Sequence, residues 1–273
     1  MRRKAPVVLA ILGILAVSLF PIYWMVVTSL LPTRLVLSRT PPLLPPLDQV
    51  SLAAFAGVLI RRPFLAWMWN SFLVALGSVA LSLVVATLGG YSLSRFRTQA
   101  QELAGLTLLV SRMIPSSLIV IPFFIMASTF HLVDNRVALM LANASVGIPF
   151  ATWMMKGFFD GIPQELDAAA RVDGCGRLMA FWHVVLPLSK PGLAACAIYV
   201  FIVSWAEFVF ARTLINTPAR WTLTTGLVSF VGEHTVDWTG LMAAGTIAMA
   251  PVLVLFLLLE PFLVSGMTAG AER

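Results

Sequence analysis

Long stretches without any charged residue constrain this chain more than any other feature of its sequence. Residues 5–33, 63–94 and 238–259 contain no Asp, Glu, Lys or Arg. A helix needs about 20 predominantly apolar residues to cross the hydrocarbon core of a membrane, and each of these runs is long enough. Because only 11% of the residues are charged, against about 25% in soluble domains, the sequence predicts an integral membrane protein.

Three further runs bring the number of predicted spans to six. The only charged residue in 103–130 is Arg112, and the only one in 191–211 is Glu207. Residues 137–155 contain no charged residue. The sequence therefore predicts a single all-α membrane domain over residues 1–273 with six transmembrane helices. The predicted spans are residues 6–31, 68–93, 104–128, 138–158, 192–212 and 240–263. The first apolar run exceeds the roughly 7–15 residues of a cleavable signal, so it is expected to remain as an anchor.

The distribution of basic residues predicts the orientation in the membrane. Arg2, Arg3 and Lys4 precede the first span, and such clusters stay on the cytoplasmic side. With six spans, both termini and the segment 159–191 are then expected in the cytoplasm. The net charge of +6 does not indicate a nucleic-acid partner, because the chain has only three lysines and its arginines are scattered.

The segment 159–191, between the fourth and fifth spans, is unusually polar for this chain. Pro163 suits the first turn of a helix, and Glu165 and Asp167 then place negative charge at the positive end of the helix dipole. Three alanines follow, which favour helix and leave a small surface. Gly174 is expected to end this helix, because glycine readily adopts the left-handed conformation.

A second helix is predicted to begin near Gly176 in the same segment. Its residues Leu178, Phe181, Trp182 and Val185 have the spacing of one apolar helix face. Pro187 and Pro191 are expected to break the chain before the fifth span. Periodicity alone favours a solvated amphipathic loop, so it does not assign a role to the segment.

The order of residues in this segment resembles the coupling loop of permease subunits from binding-protein-dependent ABC importers. The sequence reads ELDAAARVDG over residues 165–174 and LPLSKPG over residues 186–192. The resemblance implies that a short helix docks on a cytoplasmic ATPase. The residues that it assigns to this coupling are Glu165, Asp167, Ala168, Ala169, Ala170, Asp173, Gly174, Leu186 and Pro187. Where the family usually has glutamate this chain has Ala168, and Asp167 is expected to supply the negative charge.

Other motifs resemble the carbohydrate-uptake branch of these permeases. Asn70-Ser71-Phe72, the stretch YSLSRF over residues 91–96, and the glycine-rich tail over residues 266–271 are similar to that branch. Trp205-Ala206-Glu207-Phe208 resembles its Trp-Asn-Glu-Phe signature, with Ala206 in place of asparagine. The chain is most similar in type to the shorter of the two permeases in maltose- or trehalose-type importers.

The resemblance also implies a set of partners and a location. These are a sister permease forming a heterodimer, two ATPase subunits and an extracytoplasmic solute-binding protein or lipoprotein, assembled in the bacterial cytoplasmic membrane among its lipids. No G-x-x-x-x-G-K-[ST] phosphate loop occurs in this chain. It is therefore not expected to be an enzyme or to hold a cofactor of its own, and ATP and Mg²⁺ are expected on the partner ATPase.

Two charged residues, Arg112 and Glu207, fall well inside predicted spans and away from their ends. Buried charges in a membrane are costly and usually mark a pathway or an ion pair, so Arg112 and Glu207 are expected to pair with each other or to line a polar cavity. Trp205 lies beside Glu207 and is expected either to stack on a sugar ring or to pack in the core. These three residues are the candidates for the translocation path.

Two other classes of protein compete with the importer permease. A stand-alone secondary transporter or channel for a small polar solute would need more ionisable residues inside the membrane and would leave the polar segment unexplained. An intramembrane enzyme is disfavoured, because the three histidines are isolated and neither H-E-x-x-H nor G-x-S-x-G occurs. No metal site is predicted, and the sequence does not identify the solute.

Overall fold

The computed structural model describes residues 4–96, 98–232 and 234–268, and this part of the chain is all-α, as predicted. Apart from an isolated antiparallel bridge between Val231 and Val236, no β-structure forms in it. Arg2 and Arg3 of the basic N-terminal cluster, and the glycine-rich tail from Ala269 onward, lie outside the described residues, as do Arg97 and Glu233.

The helices are numbered in chain order. They are α1 (Lys4–Leu30), α2 (Thr33–Val36), α3 (Ala53–Arg61), α4 (Phe64–Arg95), α5 (Gln99–Ser111), α6 (Ser116–Thr129), α7 (Arg136–Asp160), α8 (Gln164–Val172), α9 (Arg177–Ala180), α10 (Leu186–Leu188), α11 (Lys190–Trp205), α12 (Val209–Leu214), α13 (Leu223–Val228) and α14 (Trp238–Thr268). A π-helical turn, Phe181–Val185, joins α9 to α10, and short 3₁₀ turns occupy Leu47–Gln49 and Pro218–Arg220.

Four helical segments within the described chain are long and apolar enough to cross a membrane. They are Val7–Leu30, Phe64–Arg95, Arg136–Asp160 and Trp238–Pro261. Two bent helix pairs raise the number to six if each pair forms one span: α5 with α6, and Arg177–Leu188 with α11. The chain is therefore a multi-pass membrane protein.

Two predicted spans are not the continuous helices that their composition suggested. The span predicted at residues 104–128 is divided at Ser111–Pro115, and its two halves meet at 102°. Proline lacks an N–H and disfavours helical geometry in the residue before it, so Pro115 instead caps the start of α6. The span predicted at residues 192–212 ends as a helix at Trp205, and the chain resumes helical structure at Val209.

The described chain forms two compact units. The first contains the chain up to Met68 together with Gly226–Pro251. Here α1 packs on α3, and Arg62 donates hydrogen bonds to the carbonyl and hydroxyl oxygens of Ser229 at 3.1 and 2.8 Å. Most of α1 is apolar and exposed, including Val8, Leu12 and Val17, which suits a helix surrounded by lipid.

The second unit contains Trp69–Thr225 and the chain from Val252 onward. Its main helix contact is between α7 and α11, and an apolar core that includes Leu139, Phe210 and Leu214 lies beside it. The helices α4 and α7 approach closely at Gly90, where an added Cβ would lie 2.8 Å from the Met155 Cβ and 2.9 Å from the Lys156 nitrogen. Such contacts between small residues are typical of helix packing in membranes.

Candidate functional site

The helix α8 forms within the polar segment as the sequence predicts. Pro163 precedes it with an extended backbone, and Glu165 and Asp167 occupy its first turn. Gly174 follows the helix end with a φ of +91°, in the left-handed region that favours glycine. The Cys175 and Gly174 amides donate to the Ala170 and Arg171 carbonyls at 2.9 and 3.2 Å, which is the Schellman pattern of a helix C-terminus. The predicted stop at Asp173-Gly174 is confirmed.

The second helix of the segment begins after Gly176 as predicted, but its buried face differs from the predicted face. Phe181 and Val185 are 2% and 0% exposed, whereas Leu178 and Trp182 are 67% and 53% exposed. The π-helical turn that starts at Phe181 adds a residue to the helical repeat, so a spacing based on 3.6 residues no longer describes one face. Leu178 and Trp182 therefore point outward, and Ala180 completes the buried face.

Asp167 of α8 is bound to the end of α4 within the same chain. The Arg95 Nε atom lies 2.8 Å from the Asp167 Oδ2 atom, and the two side chains are only 8% and 16% exposed. The Tyr91 hydroxyl donates to the Asp167 Oδ1 atom at 3.1 Å, and the Tyr91 ring packs against Phe181 with the centroids 4.7 Å apart. Asp167 thus holds α8 against the membrane-spanning bundle.

The Arg95 guanidinium also binds the chain between α7 and α8. Its Nη1 and Nη2 atoms donate to the carbonyl oxygens of Phe159 and Ile162 at 2.9 and 3.1 Å. Next to it, the Ser94 hydroxyl donates to the Asp160 carboxylate at 2.7 Å. One arginine therefore ties together the end of α4, the end of α7 and the first turn of α8. A cation at the C-terminal end of α7 is also favoured by the helix dipole.

The residues assigned to ATPase coupling divide into an outward and an inward set. The exposed residues are Glu165, Ala168, Ala169, Asp173, Gly174 and Pro187. The partly or fully buried residues are Asp167, Ala170 and Leu186. Exposed apolar side chains continue the outward surface, among them Val172, Leu178 and Trp182. This outward surface of α8 and the segment after it is hereafter the outward face.

An open cavity of about 480 Å³ lies between α8, the end of α4 and the start of α9. Its charged lining residues are Arg95, Glu165, Asp167, Arg171 and Arg177. Since Arg95 and Asp167 pair with each other, the carboxylate of Glu165 and the guanidinium groups of Arg171 and Arg177 remain exposed on the rim. The outward face therefore combines a small apolar surface with charges of both signs.

Arg112 lies at the break between α5 and α6 and reaches two other helices. It donates to the carbonyl oxygen of Val146 in α7 at 2.8 Å and to the hydroxyl of Tyr199 in α11. Its guanidinium carbon is 5.9 Å from the centre of the Phe150 ring and 5.8 Å from the centre of the Tyr199 ring, within the range of cation–π attraction.

Glu207 interrupts the fifth predicted span, and it does not pair with Arg112. Its carboxylate oxygens accept hydrogen bonds from the amides of Phe210 and Ala211 at 2.7 and 3.0 Å, which caps the first turn of α12. The direct ion pair that was one of the two alternatives for Arg112 and Glu207 is wrong, because each side chain is bound to backbone or hydroxyl groups elsewhere. The backbone N–H groups freed by the helix break compete successfully for the carboxylate.

Trp205 packs inside the second unit. It is 7% exposed and stacks on Phe201, with ring centroids 5.6 Å apart and planes 14° apart. Two roles were considered for Trp205, stacking on a sugar and packing in the core. Within this chain its ring packs in the core.

Asp134 organises a different loop cluster, at the other end of α7 from α8. Its carboxylate accepts hydrogen bonds from the Asn216 amide at 3.0 Å and from the Thr217 amide and hydroxyl at 2.9 and 2.7 Å. These hydrogen bonds, first of all that from the Thr217 amide, lower the pKa of Asp134 below its ordinary value, with a smaller contribution from Arg220. The cluster fixes the loop that follows α12 to the start of α7.

Sequence reasoning assigned no role to Tyr91, Arg95 or Tyr199. A signal for the first two was present, because a tyrosine and an arginine four residues apart share one helix face at the very end of an apolar run. Their partner on α8 could not be read from that spacing. In the described parts of the chain, no group of three or more His, Cys, Asp or Glu side chains is arranged to hold a metal ion.

The fold and the site together define a helical membrane protein with a polar segment anchored at one end of its bundle. Comparison of the sequence with known families gives the identity of that class. The profile of the "Binding-protein-dependent transport system inner membrane component" family matches residues 79–269. The chain belongs to this family, and it is the permease component of a binding-protein-dependent ABC importer, as the sequence resemblance implied.

The curated relatives of the chain include several permeases named for sugars. It is 36% identical over 211 residues to the maltodextrin transport system permease protein MdxG of Bacillus subtilis, covering 77% of this chain and 76% of that protein. It is 31% identical over 254 residues to the diacetylchitobiose uptake system permease protein DasC of Streptomyces coelicolor, covering 93% and 91%. It is 32% identical over 256 residues to the sulfoquinovosyl glycerol transport system permease protein SmoH of Agrobacterium fabrum, covering 94% and 89%.

Solved structures share the fold. A chain of a bacterial ABC transporter involved in the import of the acidic polysaccharide alginate superposes with a TM-score of 0.80 at 24% identity, covering 95% of this chain and 96% of that one. A chain of the MetNI methionine ABC transporter gives a TM-score of 0.62 at 15% identity, covering 78% and 97%. At these identities the likeness concerns the architecture.

Proposed function

We propose that this chain is one of two permease subunits in an ATP-driven importer of a sugar or sugar-like solute. It forms half of the translocation path, and its residues 159–191 couple that path to a separate ATPase. The observation that carries the proposal is the division of α8 into two faces. Asp167 and Ala170 are held against the bundle, while Ala168 and Ala169 are exposed among the described residues.

The exposed surface suits a protein partner. Alanine side chains allow close approach of a neighbouring backbone, and the apolar residues Val172, Leu178 and Trp182 extend the face. Exposed apolar patches of this kind commonly mark interaction sites. The negative charge that the resemblance assigned to Asp167 is used inside this chain, so Glu165 is the exposed carboxylate of the first turn and the candidate for an ion pair with the ATPase.

The inward face explains how movement would reach the membrane. Because Arg95 joins α8 to the ends of α4 and α7, a displacement of α8 by the closing ATPase pair displaces both long helices. A largely buried ion pair whose carboxylate also accepts a hydrogen bond from Tyr91 transmits such a shift as a rigid link, whereas a flexible loop would absorb it. Alternating access then follows from movement of this bundle against that of the sister permease.

The partners and surroundings of the chain belong to the same proposal. Two ATPase copies bind ATP and Mg²⁺, the sister permease completes a heterodimer, and an extracytoplasmic solute-binding protein or lipoprotein delivers the solute. The importer lies in a bacterial cytoplasmic membrane with both termini of this chain in the cytoplasm. Permeases named for maltodextrin, diacetylchitobiose and sulfoquinovosyl glycerol among the relatives support the sugar class.

The test is co-purification with the neighbouring ATPase and sister permease, comparing the wild type with Gly174→Asp. At φ +91° a side chain is strained even though no atom lies within 4 Å of the added Cβ, so the change disturbs the end of α8 without a steric clash. Gly57→Asp is the matched control, because Gly57 lies in α3, outside residues 159–191, and has ordinary helical geometry and equally open space around it.

We expect both variants to retain the sister permease, and only Gly174→Asp to lose most of the ATPase. Equal retention of the ATPase by both variants would show that the end of α8 is not part of the docking site. If the wild type retains no ATPase in any lipid or nucleotide condition, the proposal is wrong, and the chain should be assayed as an autonomous carrier in proteoliposomes.

A further inference from the structure

Arg112 places a guanidinium group deep beside an apolar helix. Its hydrogen-bond acceptor, Val146, lies within α7 at about 15 Å from one end of that helix and about 21 Å from the other, at about 1.5 Å of rise per residue. The whole of α7 is a candidate membrane span, and the hydrocarbon core is about 30 Å thick. The guanidinium therefore sits near the middle of the membrane.

No carboxylate compensates this charge within the described chain. The ion pairs found there join Arg95 to Asp167, Lys156 to Asp160, and Arg220 to Asp134. The partners of Arg112 are instead a carbonyl oxygen and a tyrosine hydroxyl, which orient the guanidinium and use only part of its five N–H donors. A charged group at this depth normally faces a cavity or a partner of opposite charge.

A recess of about 130 Å³ opens beside Arg112, at the break between α5 and α6. Ser116, Ser145 and Pro149 line it together with Arg112. Since about 10–15 Å³ of such accessible space is enough for one water molecule, the recess has room for an anionic group of several atoms. Among the described residues that line it, no carboxylate is present to repel an anion, and the serine hydroxyls beside Arg112 can donate hydrogen bonds to one.

We propose that this recess binds the negatively charged group of a transported sugar acid, a carboxylate, sulfonate or phosphate, with Arg112 as its cationic ligand. The guanidinium fork matches the oxygen pair of such groups. The Phe150 and Tyr199 rings next to it keep the guanidinium in place. The inference rests on the proposed function, since it assigns to the same translocation path a preference for anionic over neutral sugars.

The test uses the complete importer in nanodiscs of phosphatidylcholine, titrated with glucuronate and, as the neutral counterpart, glucose. Binding is measured by isothermal calorimetry or equilibrium dialysis. We expect glucuronate to bind the wild type at least tenfold more tightly than glucose. Arg112→Gln should abolish this difference, and Arg112→Lys, which keeps the charge but loses the fork, should retain part of it.

Two further variants separate recognition from folding. Arg39→Gln removes the same charge at an exposed residue outside the recess and should bind glucuronate like the wild type. Tyr199→Phe keeps the ring that packs on Arg112 and removes only the hydroxyl, so it should weaken glucuronate binding several-fold in a complex that assembles normally. It keeps the proposal testable if Arg112→Gln does not assemble.

An equal affinity of the wild type for glucuronate and glucose would overturn the proposal, as would unchanged glucuronate binding in both Arg112→Gln and Tyr199→Phe. An anionic lipid could supply the same chemistry, so nanodiscs containing phosphatidylglycerol form a second arm. The wild type could retain that lipid and show no preference for glucuronate, while Arg112→Gln loses the lipid. This result would assign the recess to a lipid headgroup and overturn the proposal that it binds a transported sugar acid. In each of these outcomes, co-purification of the ATPase with this chain would still support the proposed function, so the two proposals fail independently.

Discussion

Arg95 and Asp167 form an ion pair with 2.8 Å between nitrogen and oxygen, although one ends a long apolar helix and the other begins the short helix α8. The pair is largely buried and is joined by Tyr91. Asp167, which the family resemblance placed among the residues facing the ATPase, is thereby an internal anchor. Ala168, Ala169 and Glu165 lie on the outward face instead, and they are the residues proposed to contact the ATPase.

Asp167→Asn should loosen α8 from the bundle. The change removes the charge that balances Arg95, and hydrogen bonds to charged groups typically contribute about 1.5–3 kcal/mol. We expect a lower unfolding temperature of the purified importer and faster proteolysis of residues 159–191. We also expect more ATP to be hydrolysed per solute transported, because ATP hydrolysis by the partner ATPase would then no longer move α4 and α7.

Lys156→Gln is the control for this prediction. Lys156 pairs with Asp160 one helical turn away, and both side chains are more than a third exposed. Exposed pairs at this spacing contribute only about 0.3–0.5 kcal/mol. An equal loss of coupling in the two variants would mean that the buried position of the Arg95–Asp167 pair is unimportant.

Gly90→Ala should destabilise the packing of α4 on α7. The new methyl group would lie 2.8 Å from the Met155 Cβ and 2.9 Å from the Lys156 nitrogen, and overpacking of this kind costs about 1–3 kcal/mol. Gly105→Ala in α5 meets no atom within 4 Å and should be neutral or slightly stabilising, since alanine favours helix. Thermal unfolding of both variants, followed by tryptophan fluorescence, checks the contrast. Similar unfolding temperatures would contradict it.

The Asp134 cluster should weaken in acid. Hydrogen bonds to the charged carboxylate, chiefly from Thr217, lower its folded-state pKa below the ordinary 3.8. A lowered pKa means that the stabilisation is complete above about pH 4 and is lost as the pH falls through the folded value. Amide exchange at Asn216 and Thr217, corrected for intrinsic rates, should be unchanged from pH 7 to pH 5 and faster below pH 3.8. In Asp134→Asn this acid-dependent step should be absent, and a step that persists would assign the effect to another group.

Charge reversal at Arg112 and Glu207 should not be mutually compensating. The two side chains bind different partners, Arg112 the Val146 carbonyl and Glu207 the amides that begin α12. Arg112→Glu and Glu207→Arg should each reduce transport at least tenfold, and the double variant should be no better than the weaker single variant. Recovery of transport in the double variant would instead demonstrate a direct interaction during the cycle.

Much of this fold follows from local sequence patterns. The uncharged runs located four helices that the structure has at nearly the predicted positions, such as Arg136–Asp160 for residues 138–158. The stop at Gly174 also depends only on its neighbours, because a left-handed residue after a helix is a property of the backbone itself. Family membership was equally accessible, since the motifs that carry it are continuous in sequence.

Other features required long-range contacts and were missed or misjudged. The apolar face of residues 177–188 was predicted with a regular helical period, but burial of Phe181 against Tyr91 and Phe159 accompanies a π-helical turn that shifts the pattern. The helix breaks near Pro115 and Glu207 divide runs whose hydropathy is continuous. They were not predicted, because hydropathy measures transfer into lipid and does not record whether the backbone can bend.

The sequence by itself determined that this chain is helical, crosses a membrane, and carries a short helix bounded by Pro163 and Gly174 in a permease-type loop. Only the tertiary structure decided which way each charge on that helix points. Tyr91 and Asp167 are 76 positions apart, and no local pattern encodes their contact. The packing of α4, α7 and α8 brings them together, since a buried carboxylate must find its donors wherever the fold places them.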